Sequence, residues 1–121
     1  MLGRISGLDS NHKGVHHWWA QRLSAALLVP LVVWFVASLV GLGGAGHGAV
    51  VAWLSQPLAA SLMGLLIVVG FHHAQLGLQV VIEDYIAEGP ACRGTDFAVK
   101  VLMLLAALGG LWAVARIAWA G

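Results

Sequence analysis

Three apolar runs decide what this chain can fold into. The first extends from about Leu23 to Leu42, the second from Pro57 to about Ile82, and the third from Phe97 to Trp119. A helix needs about 20 apolar residues to cross the ~30 Å hydrocarbon core of a bilayer. Backbone immersed in lipid must satisfy its own hydrogen bonds, so each run reads as a transmembrane helix. The three helices and their connections take up all 121 residues as a single domain, 1–121. The expected fold is therefore an all-α membrane protein with no room for a soluble catalytic domain. A reaction on a water-soluble substrate would have to take place on a partner. Only 9% of the residues are charged, against about 25% in soluble domains. The net charge of +1 supplies no field for nucleic acid. A single cysteine, Cys92, excludes an internal disulfide.

The connections carry the remaining local signals. Residues Met1 to Gln21 are polar and aromatic and read as an irregular segment without a secretory signal or a transit peptide. Trp18 and Trp19 suit the headgroup layer. Pro30 interrupts the first span and predicts a kink, because the carbonyl of Ala26 loses its helical donor. Ser24 and Ser38 can bond back along the helix or across to another one. The glycine-rich stretch from Gly41 to Gln56 lacks a following lysine and a preceding strand, so it reads as a loop and not a phosphate cradle. Ser55-Gln56-Pro57 reads as a helix start, and Gly89-Pro90 as a stop. Glu83 to Asp96 is an acidic loop holding four of the five acids, with Thr95 or Asp96 expected to cap the third helix. Gly109, Gly110 and the alanines around them offer a face for close packing. The chain ends soon after the third span, so no outer domain is expected.

Lysine and arginine set the orientation. Arg4, Lys13, Arg22, Arg93 and Lys100 fall on the side of the N-terminus, and Arg116 on the other. The N-terminus is expected in the cytoplasm and the C-terminus in the periplasm, in a multi-pass protein of a bacterial inner membrane; a mitochondrial inner membrane fits less well.

Polar side chains deep in a span are costly and call for a partner or a job. The second span carries His72, His73, Gln75 and Gln79. Gly70 and Gly77 lie about 60° and 40° around the helix from His73, one turn to either side. Such clearance admits a flat macrocycle, making His73 a candidate haem ligand. It equally admits a neighbouring helix, and spacing leaves both open. His72 points about 100° away and reads first as a hydrogen-bonded core residue. At the helix end, Asp84 returns to within about 20° of the His73 face, ~16 Å along the axis. Glu83 and Asp84 oppose the helix dipole there, either as a solvated lip or as the edge of a pocket. Tyr85 can donate a hydrogen bond to a quinone carbonyl or serve as an ordinary belt aromatic. Arg22, near His16 and His17, can pair with a haem propionate or simply mark topology. A six-coordinate haem needs a second axial ligand, and no second strong candidate occurs here. Another chain would have to supply it.

The pattern His73-x3-Gly77-x-Gln79-x4-Asp84-Tyr85, with Gly14-Val15-His16-His17-Trp18-Trp19-Ala20-Gln21-Arg22 upstream, resembles the small cytochrome b-type membrane-anchor ("D") subunits of succinate dehydrogenase. These belong to succinate:quinone oxidoreductase, complex II of electron transport and the tricarboxylic acid cycle. The likeness covers roughly residues 12–90; the third helix shares only its apolar character.

The resemblance implies that His73 is one axial ligand of haem b iron, the other coming from a larger cytochrome b anchor subunit. It implies that Arg22 and His16 lie near the propionates, and that Tyr85 and Asp84 line a ubiquinone site. It also implies a flavoprotein partner with FAD, which oxidises succinate, and an iron–sulfur subunit that passes the electrons on. His72 beside His73 departs from some relatives; alignment to Asp84-Tyr85 selects His73. Three other readings stay open on the residues alone: a fumarate reductase anchor, a haem-free structural anchor, and a proton-relay or transporter component using His72, His73 and Asp84.

Overall fold

The computed structural model describes the backbone of residues 2–120 and the side chains of residues 15–119. Four helices follow one another: α1 (Leu2–Gly41), α2 (His47–Leu54), α3 (Pro57–Tyr85) and α4 (Pro90–Ala120). No strand occurs among the described residues. Within these helices, Val15–Gly41, Pro57–Tyr85 and Pro90–Trp119 are long and apolar enough to cross a membrane. At 1.5 Å per residue the 29 residues of α3 span about 43 Å, so it outruns the ~30 Å hydrocarbon layer.

The helix α3 is the middle of the molecule. It packs on α1 along one side and on α4 along the other, while among the described residues α1 and α4 do not pack on each other. Close approach to α4 comes from small residues. A methyl group added at Gly110 would stand 3.3 Å from Cδ1 of Ile67, and one at Gly64 would stand 3.6 Å from Cδ2 of Leu111. Gly109 has nothing within 4 Å, so of the glycine pair only Gly110 serves the α3–α4 seam. The buried apolar residues are few: Leu31, Leu54, Ala59, Val69, Leu76 and Ile82. The chain exposes 8431 Å², whereas a compact soluble protein of 12.7 kDa exposes about 6,200 Å². A soluble domain of this size could not remain folded with so much apolar surface in water. A bilayer can cover it.

Several expectations about the connections are corrected. The entry segment is not irregular at the interface, for α1 already covers His16-His17-Trp18-Trp19. Continuing the helix satisfies the backbone as the chain enters lipid. It also sets Arg22 over Trp18, with Cζ 5.4 Å from the ring centroid, one turn away. The side chains of Arg4, Asp9, Ser10, Asn11 and Lys13 lie outside the described residues. The run from Gly41 to Gln56 is not all loop, because residues 47–54 form α2. Its Trp53 stacks on Trp34 of α1 at 5.6 Å between centroids, and its Leu54 is buried, so packing overrides the glycine-rich context. These two tryptophans therefore meet each other.

At the start of α3 the N-cap is Gln56 without a side-chain hydrogen bond. Ser55 instead donates to the carbonyl of Val51 at 2.7 Å and lies 3.3 Å from that of Ile117. Pro57 takes the first helical position as expected. The acidic loop is also shorter than the sequence suggests. Gly89, at φ +147, turns the chain, and Pro90 opens α4. Neither Thr95 nor Asp96 caps that helix. Thr95 donates back to the carbonyl of Ala91 at 2.8 Å, and Asp96 pairs with Lys100 at 3.0 Å. A proline at the first position starts the helix without any cap side chain, which is why α4 gains its first turns.

Candidate functional site

Midway along α3, the ring of His73 is half-buried against α1. Its Nδ1 lies 2.8 Å from Oγ of Ser24. Ser24 is the buried polar residue of this seam, 6% exposed, and its Oγ also donates to the carbonyl of Gln21 at 3.0 Å. The two capacities expected of Ser24, bonding back and bonding across, are thus both used. Nε2 of His73 has no hydrogen-bond partner among the described residues, nor is it among their buried, unpaired nitrogens. It is the accessible end of the ring.

The two glycines flanking His73 turn out to differ. A methyl group on Gly70 would reach Cδ2 of Leu28 at 4.0 Å, so that position is taken up by contact with α1. At Gly77 nothing lies within 4 Å, leaving open space one turn below the imidazole. Among the described residues no group of three or more His, Cys, Asp or Glu could enclose a metal ion. The donor set this chain offers at His73 is therefore a single imidazole, suited to a metal whose other positions are filled from elsewhere.

The neighbouring histidine behaves differently. His72 is exposed and lines a groove of about 280 Å³ between α3 and α4, together with Phe71, Gln75, Lys100 and Met103. It also borders a recess on the α1 side beside Ala20, Leu23 and Ser24, so the two histidines, about 100° apart around the helix, are not divided between opposite sides of α3.

The residues expected around a macrocycle edge are only partly gathered by this chain. Arg22 is exposed and sits over Trp18. Two residues from Ser24, it projects from α1 about 160° away from the Ser24–His73 contact. His16 is likewise exposed. It is His17, seven residues before Ser24 and so within about 20° of its face, that is half-buried with Nε2 unpaired. The two-turn spacing to Ser24 is the sequence signal that could have singled it out.

At the far end of α3, Asp84 and Tyr85 are both exposed, Tyr85 by 85%. A cleft of about 610 Å³ opens at this lip, lined by Glu83, Glu88, Gly89, Cys92 and Arg93. Neither Asp84 nor Tyr85 faces it, so these two project away from the α3–α4 connection. A polar ladder leads toward the lip: Gln75 donates to Gln79 at 3.3 Å, and Gln79 donates to Glu83 at 3.1 Å. Its i, i+4 spacing is plain in the sequence.

A three-span helical protein with so little burial of its own, two adjacent imidazoles midway along its central helix and an acidic lip is a multi-pass membrane protein. Comparison with known proteins makes that class specific. Residues 2–111 match the model of the succinate dehydrogenase/fumarate reductase transmembrane subunit family, and the chain belongs to that family. It is 30% identical over 102 residues to the succinate dehydrogenase hydrophobic membrane anchor subunit of Rickettsia bellii, covering 84% of this chain and 82% of the relative. Identity to the protein of the same description from Paracoccus denitrificans is 32% over 96 residues, covering 77% and 72%.

Proposed function

We infer that this chain is the small membrane anchor of a succinate:quinone oxidoreductase in a bacterial inner membrane, with its N-terminus in the cytoplasm. It holds an iron–sulfur subunit and an FAD flavoprotein at the bilayer, and pairs with a larger cytochrome b anchor subunit. The observation that carries the reading is His73: an imidazole in mid-span, held at Nδ1 and accessible at Nε2, beside open space at Gly77, in a chain of this family.

The residues present fit a shared haem b. His73 would hold its iron through Nε2, with a further ligand from the partner anchor. Gly77, with nothing within 4 Å of an added methyl group, would leave room for the group. Arg22 and His16 would pair with its propionates. When bound, the haem supplies a one-electron redox centre between the iron–sulfur subunit and the membrane. Tyr85 and Asp84 form the ubiquinone edge at the cytoplasmic lip. The Tyr85 hydroxyl donates to a quinone carbonyl, and Asp84 stands where water can deliver the protons that reduction consumes. Succinate itself is oxidised on the flavoprotein. The family description covers both directions of the reaction, and the relatives are named for succinate oxidation, the direction proposed here over a fumarate reductase anchor.

The test is a reduced-minus-oxidised optical spectrum of the purified complex. A b-type signal present in the parent and lost in His73→Ala is the expected result. A full signal in that variant would place the ligand elsewhere and refute the assignment.

A further inference from the structure

We propose that Ser24 is the positioning residue for His73, fixing the ring tautomer that turns an Nε2 lone pair toward the metal. The inference rests on the haem reading above and adds to it a residue on a different helix.

Proton counting fixes the direction of each bond at Ser24. A serine hydroxyl has one proton and two lone pairs. Ser24 Oγ lies 3.0 Å from the carbonyl of Gln21 and 2.8 Å from Nδ1 of His73. One proton cannot serve both partners. The Gln21 carbonyl has no proton to give, so it can only accept, and the Ser24 proton is its natural partner. Oγ then meets Nδ1 with a lone pair, and the proton in that contact belongs to the imidazole. Neutral His73 is therefore the Nδ1–H tautomer, with Nε2 unprotonated. In the opposite arrangement the serine would donate to Nδ1, the carbonyl side of the relay would be lost, and an Nε2–H would face the membrane interior without an acceptor. An unpaired donor in that setting is costly.

Metal-bound histidines use this device generally. The nitrogen away from the metal donates to a fixed acceptor, which sets the tautomer, the ring angle and the ligand basicity. Here the relay runs from His73 through Ser24 to a backbone carbonyl of α1, so the ring is aligned by the neighbouring helix rather than its own. Burial of Ser24 to 6% exposure keeps water from replacing either bond. The α1–α3 seam thereby sets the imidazole plane before any partner subunit arrives.

The test compares Ser24→Thr with Ser24→Val in the full membrane complex. The two side chains have nearly the same shape, and only threonine keeps the hydroxyl. Assembly is checked by subunit stoichiometry and by succinate oxidation with a soluble electron acceptor. Haem content per flavin, the midpoint potential and the low-spin resonance spectrum are then measured. Threonine should match the parent. Valine should assemble, yet retain haem about tenfold less tightly and shift the potential upward, because a less basic imidazole stabilises the ferric state less. Unchanged haem retention and potential in an assembled Ser24→Val complex would overturn the proposal while leaving His73 as ligand. A Ser24→Thr variant that loses haem as valine does would also overturn it, since the hydroxyl would then be irrelevant. A full haem signal in His73→Ala would instead remove the underlying assignment, so the two failures are told apart.

Discussion

Replacing Gly77 by leucine should remove haem from the complex while leaving this chain as stable as before, or more so. Nothing lies within 4 Å of a methyl group built at Gly77. Within the chain, then, a larger side chain meets open space. Exchanging a mid-helix glycine for alanine or leucine gains about 0.5–1 kcal/mol of helix propensity. If the macrocycle occupies that space, the same side chain enters its plane, and overpacking costs about 1–3 kcal/mol. Spent on haem retention alone, that is roughly 5- to 150-fold weaker binding. The opposite signs make the experiment decisive. Haem per flavin is measured in the purified complex beside thermal melting of the same sample. Gly110→Ala serves as the control for ordinary packing, since its methyl group would stand 3.3 Å from Ile67 and affect the α3–α4 seam without touching His73. Full haem content in Gly77→Leu, or a lower melting temperature with haem retained, would refute the idea that this glycine clears room for a macrocycle.

Tyr85→Phe should lower quinone reduction while succinate oxidation by a soluble acceptor continues; equal loss of both would remove Tyr85 from the quinone edge. Leu76→Ala, at a buried position on α3, should destabilise the chain by about 2–5 kcal/mol, read as a lower melting temperature, and an unchanged melt would show that Leu76 packs more loosely than the structure has it. Lys100→Gln breaks the pair with Asp96, but the lysine side chain is 50% exposed and such pairs contribute little, so stability should hold. A marked loss would mean that the Asp96 carboxylate, whose Oδ1 is buried and unpaired, depends on the lysine at Oδ2.

What was legible in the sequence and what was not divide along a physical line. The spans were legible because lipid imposes a length and a composition that local residues must meet alone. Pro57–Tyr85 and Pro90–Trp119 contain the second and third expected runs, and Val15–Gly41 contains all of the first but Leu42. Family membership followed from the spaced pattern around His73 and Asp84-Tyr85. The helix ends were less legible. Pro90, read as a stop, also starts a helix, and α2 forms because Trp53 and Leu54 find partners on other elements, which no local glycine count reveals.

At the candidate site, helical periodicity set His73 about 100° from His72. It could not say which atom of the ring is held. That depends on Ser24, 49 positions earlier, arriving at Nδ1 through the packing of α1 on α3. Nor could it rank the flanking glycines, since Gly70 is in contact with α1 while Gly77 is clear. A residue's own chemistry and its period along a helix are properties of the chain; the partner of each imidazole nitrogen is a property of two helices meeting, and only the tertiary structure decides it.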